Sequence, residues 1–163
     1  MRNRKDAKDV KILAAIVGAA CENRDMKISA GQRRRLSRIA QKYDLRLVLA
    51  FGSSVTGQRH PGSDLDIAVR FDQRPVDFRT QAELSHELQK IFPELEVDLA
   101  ILNYADPLFL KKITESCRLL YGDPREFKEL KIYTFKRYQD HRRYFEMEQR
   151  FVEAFLKETS PKP

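Results

Sequence analysis

Asp64 and Asp66 stand two residues apart in Ser63-Asp64-Leu65-Asp66-Ile67, and a third aspartate, Asp98, follows in Val97-Asp98-Leu99. Carboxylates at i and i+2 of an extended segment point to one face, so Asp64 and Asp66 can grip one or two metal ions together. Asp98 alternates with Val97 and Leu99 and lies on the polar face of its own segment. If the two segments are neighbouring strands with their apolar faces down, all three carboxylates converge. Such charges repel unless a divalent cation neutralises them, and hard Mg²⁺, with its preference for carboxylate and phosphate oxygens, fits best. Upstream, Gly52-Ser53 closes an apolar run, and ten residues separate it from Asp64. A glycine there lets the backbone approach a ligand. The Ser53 hydroxyl and the amides after it, in a short turn ending at Gly57, suit phosphate oxygens.

Other polar residues carry less. His60 lies in the loop before the aspartates and reads as a solvated loop side chain, and His86 and His141 fall on helix surfaces. Cys21 and Cys117 form neither a CxxC nor a Cys/His pattern and have no visible base beside them, so zinc and a disulfide framework are excluded and a reducing cytoplasm is the expected location.

The elements that must position these residues follow from periodicity. Ser29 with Gln32 three residues on is a capping box, opening a helix through about Tyr43 with Leu36, Ile39 and Ala40 inward. Leu45 to Phe51 is a strand, and in Asp64 to Phe71 the residues Leu65, Ile67 and Val69 alternate with the aspartates. Asp77 caps a helix from Phe78 to about Ile91, and Leu95 to Ile101 is a third strand. Asp106-Pro107 is a cap with proline at the first helical position, opening a helix to about Ser116. Arg118 to Tyr121 suits a short fourth strand, and helix runs from Pro124 to about Lys157. The expected fold is therefore α/β (α+β), a mixed sheet of three to four strands flanked by helices, with a long C-terminal helical arm.

At 163 residues, 42% hydrophobic and 34% charged, the chain is too apolar to be disordered and has no run that spans a bilayer. Its net charge of +7 is unevenly spread. Residues 1–46 hold 13 Lys+Arg against 5 Asp+Glu, a balance of +8, and residues 47–163 hold 18 against 19, a balance of −1. Direct nucleic-acid binding would thus rest on the leading segment, where a solvated basic face is the simpler reading. Ile12 to Ala20 is too short and too closely preceded by Asp6 and Asp9 for a signal sequence, and a helix from Ala7 to Cys21 is expected instead. The expected organisation is a basic helical extension over 1–27, a core over 28–122 and a helical arm over 123–163. On that arm, Phe127, Leu130, Tyr138, Phe145, Val152 and Phe155 form one apolar stripe, and Tyr133, Tyr144, Met147 and Phe151 a second. Two stripes need two covering surfaces, and the alternatives are packing on its own domain and docking of a partner.

In Phe51-Gly52-Ser53, Gly57, Ser63-Asp64-Leu65-Asp66-Ile67, Val97-Asp98-Leu99 and the closing Leu119-Leu120-Tyr121-Gly122-Asp123, the sequence resembles the minimal nucleotidyltransferases of the DNA polymerase β superfamily, specifically the MNT-type proteins encoded beside HEPN toxins. The resemblance covers about Ile28 to Tyr121. It implies ATP as donor, two Mg²⁺ ions, and transfer of AMP with release of pyrophosphate. It implies metal binding by Asp64, Asp66 and Asp98, and nucleotide contacts from Gly52, Ser53, Gly57 and Ser63. Where members often carry alanine-arginine-glycine in the loop this chain has Val55-Thr56-Gly57, and Arg59 is the candidate substitute for that arginine.

Two-metal logic then assigns Asp64 and Asp66 to the ion on the triphosphate, all three aspartates to the ion on the attacking hydroxyl, and proton acceptance to Asp98. The implied partner is a HEPN-type toxin, a ribonuclease that receives AMP on a hydroxyl, expected to be a tyrosine, in a type VII toxin-antitoxin system. The alternatives are a nucleotidyltransferase for a small molecule such as an aminoglycoside, for which the arm is short, and a non-catalytic docking antitoxin, which has no physical need for three clustered carboxylates.

Overall fold

The computed structural model describes residues 28–56, 64–73 and 76–159, so the helix expected over Ala7 to Cys21 lies outside the described residues. The first described helix, α1 (Ala30–Lys42), opens on the expected capping box: the Gln32 N–H donates to Ser29 Oγ at 3.1 Å and the Ser29 N–H to Gln32 Oε1 at 2.9 Å. There follow β1 (Leu45–Phe51), the four-residue α2 (Ser53–Thr56), β2 (Leu65–Phe71), α3 (Phe78–Gln89), β3 (Val97–Ile101), α4 (Pro107–Glu115), β4 (Cys117–Gly122) and α5 (Pro124–Thr159). The four strands form one mixed sheet in the order β3-β2-β1-β4. β2 and β3 run parallel, and β1 is antiparallel to both β2 and β4.

Strand alternation divides the core into two layers. Val48, Ala50, Leu65, Ile67 and Val69 face α1 and α3, where Leu36, Ile39, Leu84 and Leu88 cover them. Leu47, Leu49 and Ala68 face the opposite way and pack with Leu110 and Ile113 of α4 and Phe127 and Leu130 of α5. Each fully buried leucine or isoleucine of this kind contributes about 1.5 to 3 kcal/mol. The side of β2 that carries Asp66 is therefore covered over part of its length. Small Ala68, with Ala100 of β3, leaves room for α4 to close on that side, and only the end of the sheet stays open.

Two boundaries fall short of the periodic pattern. α3 stops at Gln89 because Ile91 and Phe92 turn into i−3 bonds to Leu88 and Gln89. β3 begins at Val97 and not Leu95, because the Gln89 side chain donates to the Leu95 carbonyl at 2.6 Å and accepts from the Val97 N–H at 3.0 Å. At the other end of the β2–β3 pair, buried Asn103 extends the ladder with its side chain, accepting from the Phe71 N–H at 2.9 Å and donating to the Phe71 carbonyl at 3.1 Å.

α5 is a single helix of 36 residues, about 54 Å long at 1.5 Å per residue. Its first turns bury Phe127, Leu130, Lys131 and Thr134, whereas in its far half Tyr144, Met147 and Phe151 are all more than half exposed. Among the described residues no helix is long and apolar enough to cross a membrane.

Candidate active site

The end of β1 and the beginnings of β2, β3 and β4 meet at one edge of the sheet. There Phe51 is the register partner of Asp66, and Asp66 of Asp98. Residues opposite one another in a ladder share a face, so the two carboxylates lie side by side. Asp66 is half-buried, Asp98 exposed, and Asp64, immediately before β2, exposed. Burial pushes the Asp66 carboxyl above its ordinary pKa, and the charges of Asp98 and Asp64 push it further the same way. Lys112 of α4 acts in the opposite sense.

The turn after β1 presses on this carboxylate. Gly52 has φ +71°, a conformation that side chains rarely adopt, and a Cβ built on it would overlap the Asp66 carboxylate, with Cγ at 2.9 Å. The Val55 N–H closes the turn onto the Gly52 carbonyl at 3.2 Å, and the buried Ser54 donates its hydroxyl to the Phe51 carbonyl at 2.9 Å. Sequence reasoning passed over Ser54. The signal was the serine doublet: one hydroxyl locks the turn, and that of Ser53 has no bond among the described residues. Gly57, Arg59, His60 and Ser63 lie outside the described residues.

The donor set is of the kind a hard divalent cation takes, oxygen-only and anionic, and the Asp66 pKa, raised first by burial and then by the charges of Asp98 and Asp64, registers a cost that such a cation offsets. Among the described residues no three His, Cys, Asp or Glu side chains are gathered into one metal-holding cluster. The structure brings Asp66 and Asp98 together, and Asp64 acts on Asp66 by charge from outside the strand. Of the other chemistry-bearing residues, Cys117 opens β4 at this edge as the register partner of Phe51, and the two histidines lie on helices away from it. His86 is exposed on α3. His141 sits on α5 with Nδ1 2.8 Å from the Arg137 carbonyl, and Cys117 is buried in the core.

α4 and α5 enclose a second concavity, a groove of about 490 Å³ lined by Lys111, Thr134, Tyr138, Arg142 and Glu146 among others. Within α5 the Tyr138 and Phe145 rings stack at 5.9 Å. This groove leads from the body to the exposed aromatic half of the helix.

A chain of a toxin-antitoxin complex crystallised with AMP-PNP shares 22% identity with this one and aligns with a TM-score of 0.62, over 77% of this chain and 98% of its own. A complex of a tri-AMPylated Shewanella oneidensis HEPN toxin with its MNT antitoxin contains a chain 20% identical, with a TM-score of 0.58 over 77% and 96%. An MntA-HepT toxin-antitoxin complex contains one 19% identical, with a TM-score of 0.59 over 79% and 99%. At these identities the likeness is one of fold. No curated protein matches the chain in sequence. Residues 34–126 match the family described as Polymerase beta, Nucleotidyltransferase, a span that runs from α1 through the Gly52 turn and the three aspartates to the start of α5. The chain therefore belongs to the polymerase beta nucleotidyltransferase family.

Proposed function

We propose that the protein transfers AMP from ATP to a hydroxyl, that of a tyrosine, on a HEPN-type ribonuclease toxin, and so acts as the antitoxin of a type VII toxin-antitoxin pair in the cytoplasm. The observation that carries the reading is the Asp66–Asp98 register pair set against the Gly52 turn at an open sheet end. Fold-level likeness to chains of toxin-antitoxin complexes, one with AMP-PNP and one with an AMPylated toxin, supports the choice of donor and acceptor.

Asp64, Asp66 and Asp98 are the residues that would hold Mg²⁺. When bound, Mg²⁺ supplies neutralisation of the triphosphate and lowers the pKa of the attacking hydroxyl. The chain's own contribution is positional. The Gly52-Ser53 turn lets backbone and hydroxyl reach the phosphates, with Gly57, Arg59 and Ser63 of the following loop as further contacts. Asp98, the exposed member of the register pair, accepts the acceptor hydroxyl's proton as that oxygen bonds to the α-phosphorus and pyrophosphate leaves. Such a reaction needs placement and charge more than many catalytic groups, which a domain this small can provide.

The exposed half of α5 is the docking surface for the toxin. Tyr144, Met147, Phe151 and Phe155 with Arg142 and Arg143 are the aromatic and arginine composition of interface anchors. AMP on the toxin adds a bulky anion where a ribonuclease must admit a phosphate backbone, so repulsion and steric block act together.

The test is mass spectrometry of the toxin encoded beside this protein, after co-expression with the wild-type chain or with the Asp64→Asn, Asp66→Asn double variant. One or more added AMP masses with the wild type and none with the variant are expected. An unmodified but neutralised toxin would establish docking alone, and AMP on an antibiotic hydroxyl but on no protein would make this a small-molecule enzyme.

A further inference from the structure

α4 brings a cation to the carboxylate edge. Phe109 meets Phe51 edge-on, ring centroids 6.2 Å apart, and Phe51 is the register partner of Asp66. Lys112 is three residues beyond Phe109, on the same side of the helix one turn on. Leu110 and Ile113, fully buried beside these positions, fix the helix in the core, so the lysine stem starts from a rigid base. Lys112 is exposed and, unlike Lys111, which pairs with Glu115 at 2.7 Å, has no ion-pair partner among the described residues. Its charge acts on Asp66. Arg70 shares the Asp66 face of β2 but lies four residues along the strand, about 13 Å away at ~3.3 Å per residue.

The Asp66–Asp98 pair, with the charge of Asp64 added, must on this reading accept a ligand that is itself strongly anionic. We propose that Lys112 holds the β- and γ-phosphates of the bound nucleotide and the pyrophosphate that leaves. The inference rests on the AMP-transfer reading above. As the acceptor oxygen bonds to the α-phosphorus, the bond from that phosphorus to the α,β-bridging oxygen breaks, and pyrophosphate departs with the electron pair. The acceptor's proton passes to a carboxylate. Lys112 takes no part in the proton transfer and meets the growing charge of the leaving group electrostatically.

The test is calorimetric titration of the full-length protein, in Mg²⁺, with pyrophosphate, ATP and AMP. Lys112→Gln should weaken pyrophosphate and ATP binding by about tenfold or more, as expected for loss of a charge-assisted contact, and leave AMP binding unchanged. Lys112→Arg should retain most of the pyrophosphate affinity. Equal pyrophosphate affinity in wild type and Lys112→Gln would overturn the assignment. So would an equal loss for AMP, which would mean that Lys112 acts only through Asp66. In either case AMP transfer that is intact in the wild type and absent in Asp66→Asn would leave the reading of the site standing. A folded wild-type protein that binds neither ATP nor pyrophosphate would bring down both.

Discussion

Gly52 and Asp66 face each other across the end of the sheet without space for one added carbon: a Cβ on Gly52 would fall within the Asp66 carboxylate. The turn thus sets where that carboxylate rests, and the carboxylate limits what residue the turn tolerates.

Gly52→Ala should therefore damage catalysis more than folding. The left-handed backbone at φ +71° costs an alanine about 1 to 2 kcal/mol, visible as a lower denaturation midpoint. The displaced carboxylate should lower AMP transfer roughly a hundredfold, the scale of a misplacement of about 1 Å. Near wild-type turnover in the destabilised variant would show that the position of Asp66 is not critical.

Asp66→Asn and Asp98→Asn should each abolish transfer without loss of stability. Each substitution relieves the repulsion that raises the Asp66 pKa, so metal-free unfolding midpoints should equal or exceed that of the wild type. Added Mg²⁺ should stabilise the wild type and have little effect on the Asp64→Asn, Asp66→Asn double variant. Undiminished transfer in either single variant would end the catalytic assignment.

Removal of residues 147–163 should leave the body of the protein intact, because Met147, Phe151, Val152, Phe155 and Leu156 are all more than half exposed. The expected result is an unfolding midpoint close to wild type together with loss of the co-purified toxin. Single Tyr144→Ala and Phe151→Ala changes should each weaken the complex by about 2 kcal/mol if these are anchor residues. A truncated chain that still pulls down the toxin would place the interface elsewhere.

Asp77 supplies a pH signature. It caps α3 by accepting from the Thr80 N–H at 2.6 Å, and this bond holds its carboxyl below the ordinary value. A depressed carboxyl contributes stability above the unfolded pKa, near 3.9, and loses it as pH falls through the lower folded value. Asp77→Ala should melt earlier than wild type at pH 7, and the gap should narrow as the pH drops below about 4. A gap that persists undiminished at low pH would assign the cap's effect to something other than the ionised carboxylate.

Deletion of residues 1–25 should leave turnover on a bound partner nearly unchanged, since the capping box of α1, the sheet and the three aspartates all follow it. Loss of ATP binding on that deletion would make the segment part of the fold.

Much of this architecture is local chemistry and is legible in the sequence itself. Ser29 with Gln32, Asp77 and Asp106-Pro107 start their helices with their own side chains, and the period-two runs at Leu65, Ile67 and Val69 and at Val97 and Leu99 mark strands. The spacing of Asp64 and Asp66 gives them a common face where both are extended, and the strand itself begins between them at Leu65. What no local pattern contains is pairing between distant segments. The parallel β2–β3 register that sets Asp66 against Asp98 depends on which strands become neighbours and on α3 crossing between them. The side-chain substitutions that shorten β3 and extend β2, from Gln89 and Asn103, depend on the same packing. The charge of Lys112 reaches Asp66 because α4 docks on the face that carries the small Ala68 and Ala100 and because Phe109 finds Phe51. Residue type and spacing therefore determined which groups the protein has for its chemistry. The closing of the sheet and the docking of α4, driven by burial of apolar surface from segments far apart in the chain, decided which of those groups stand together.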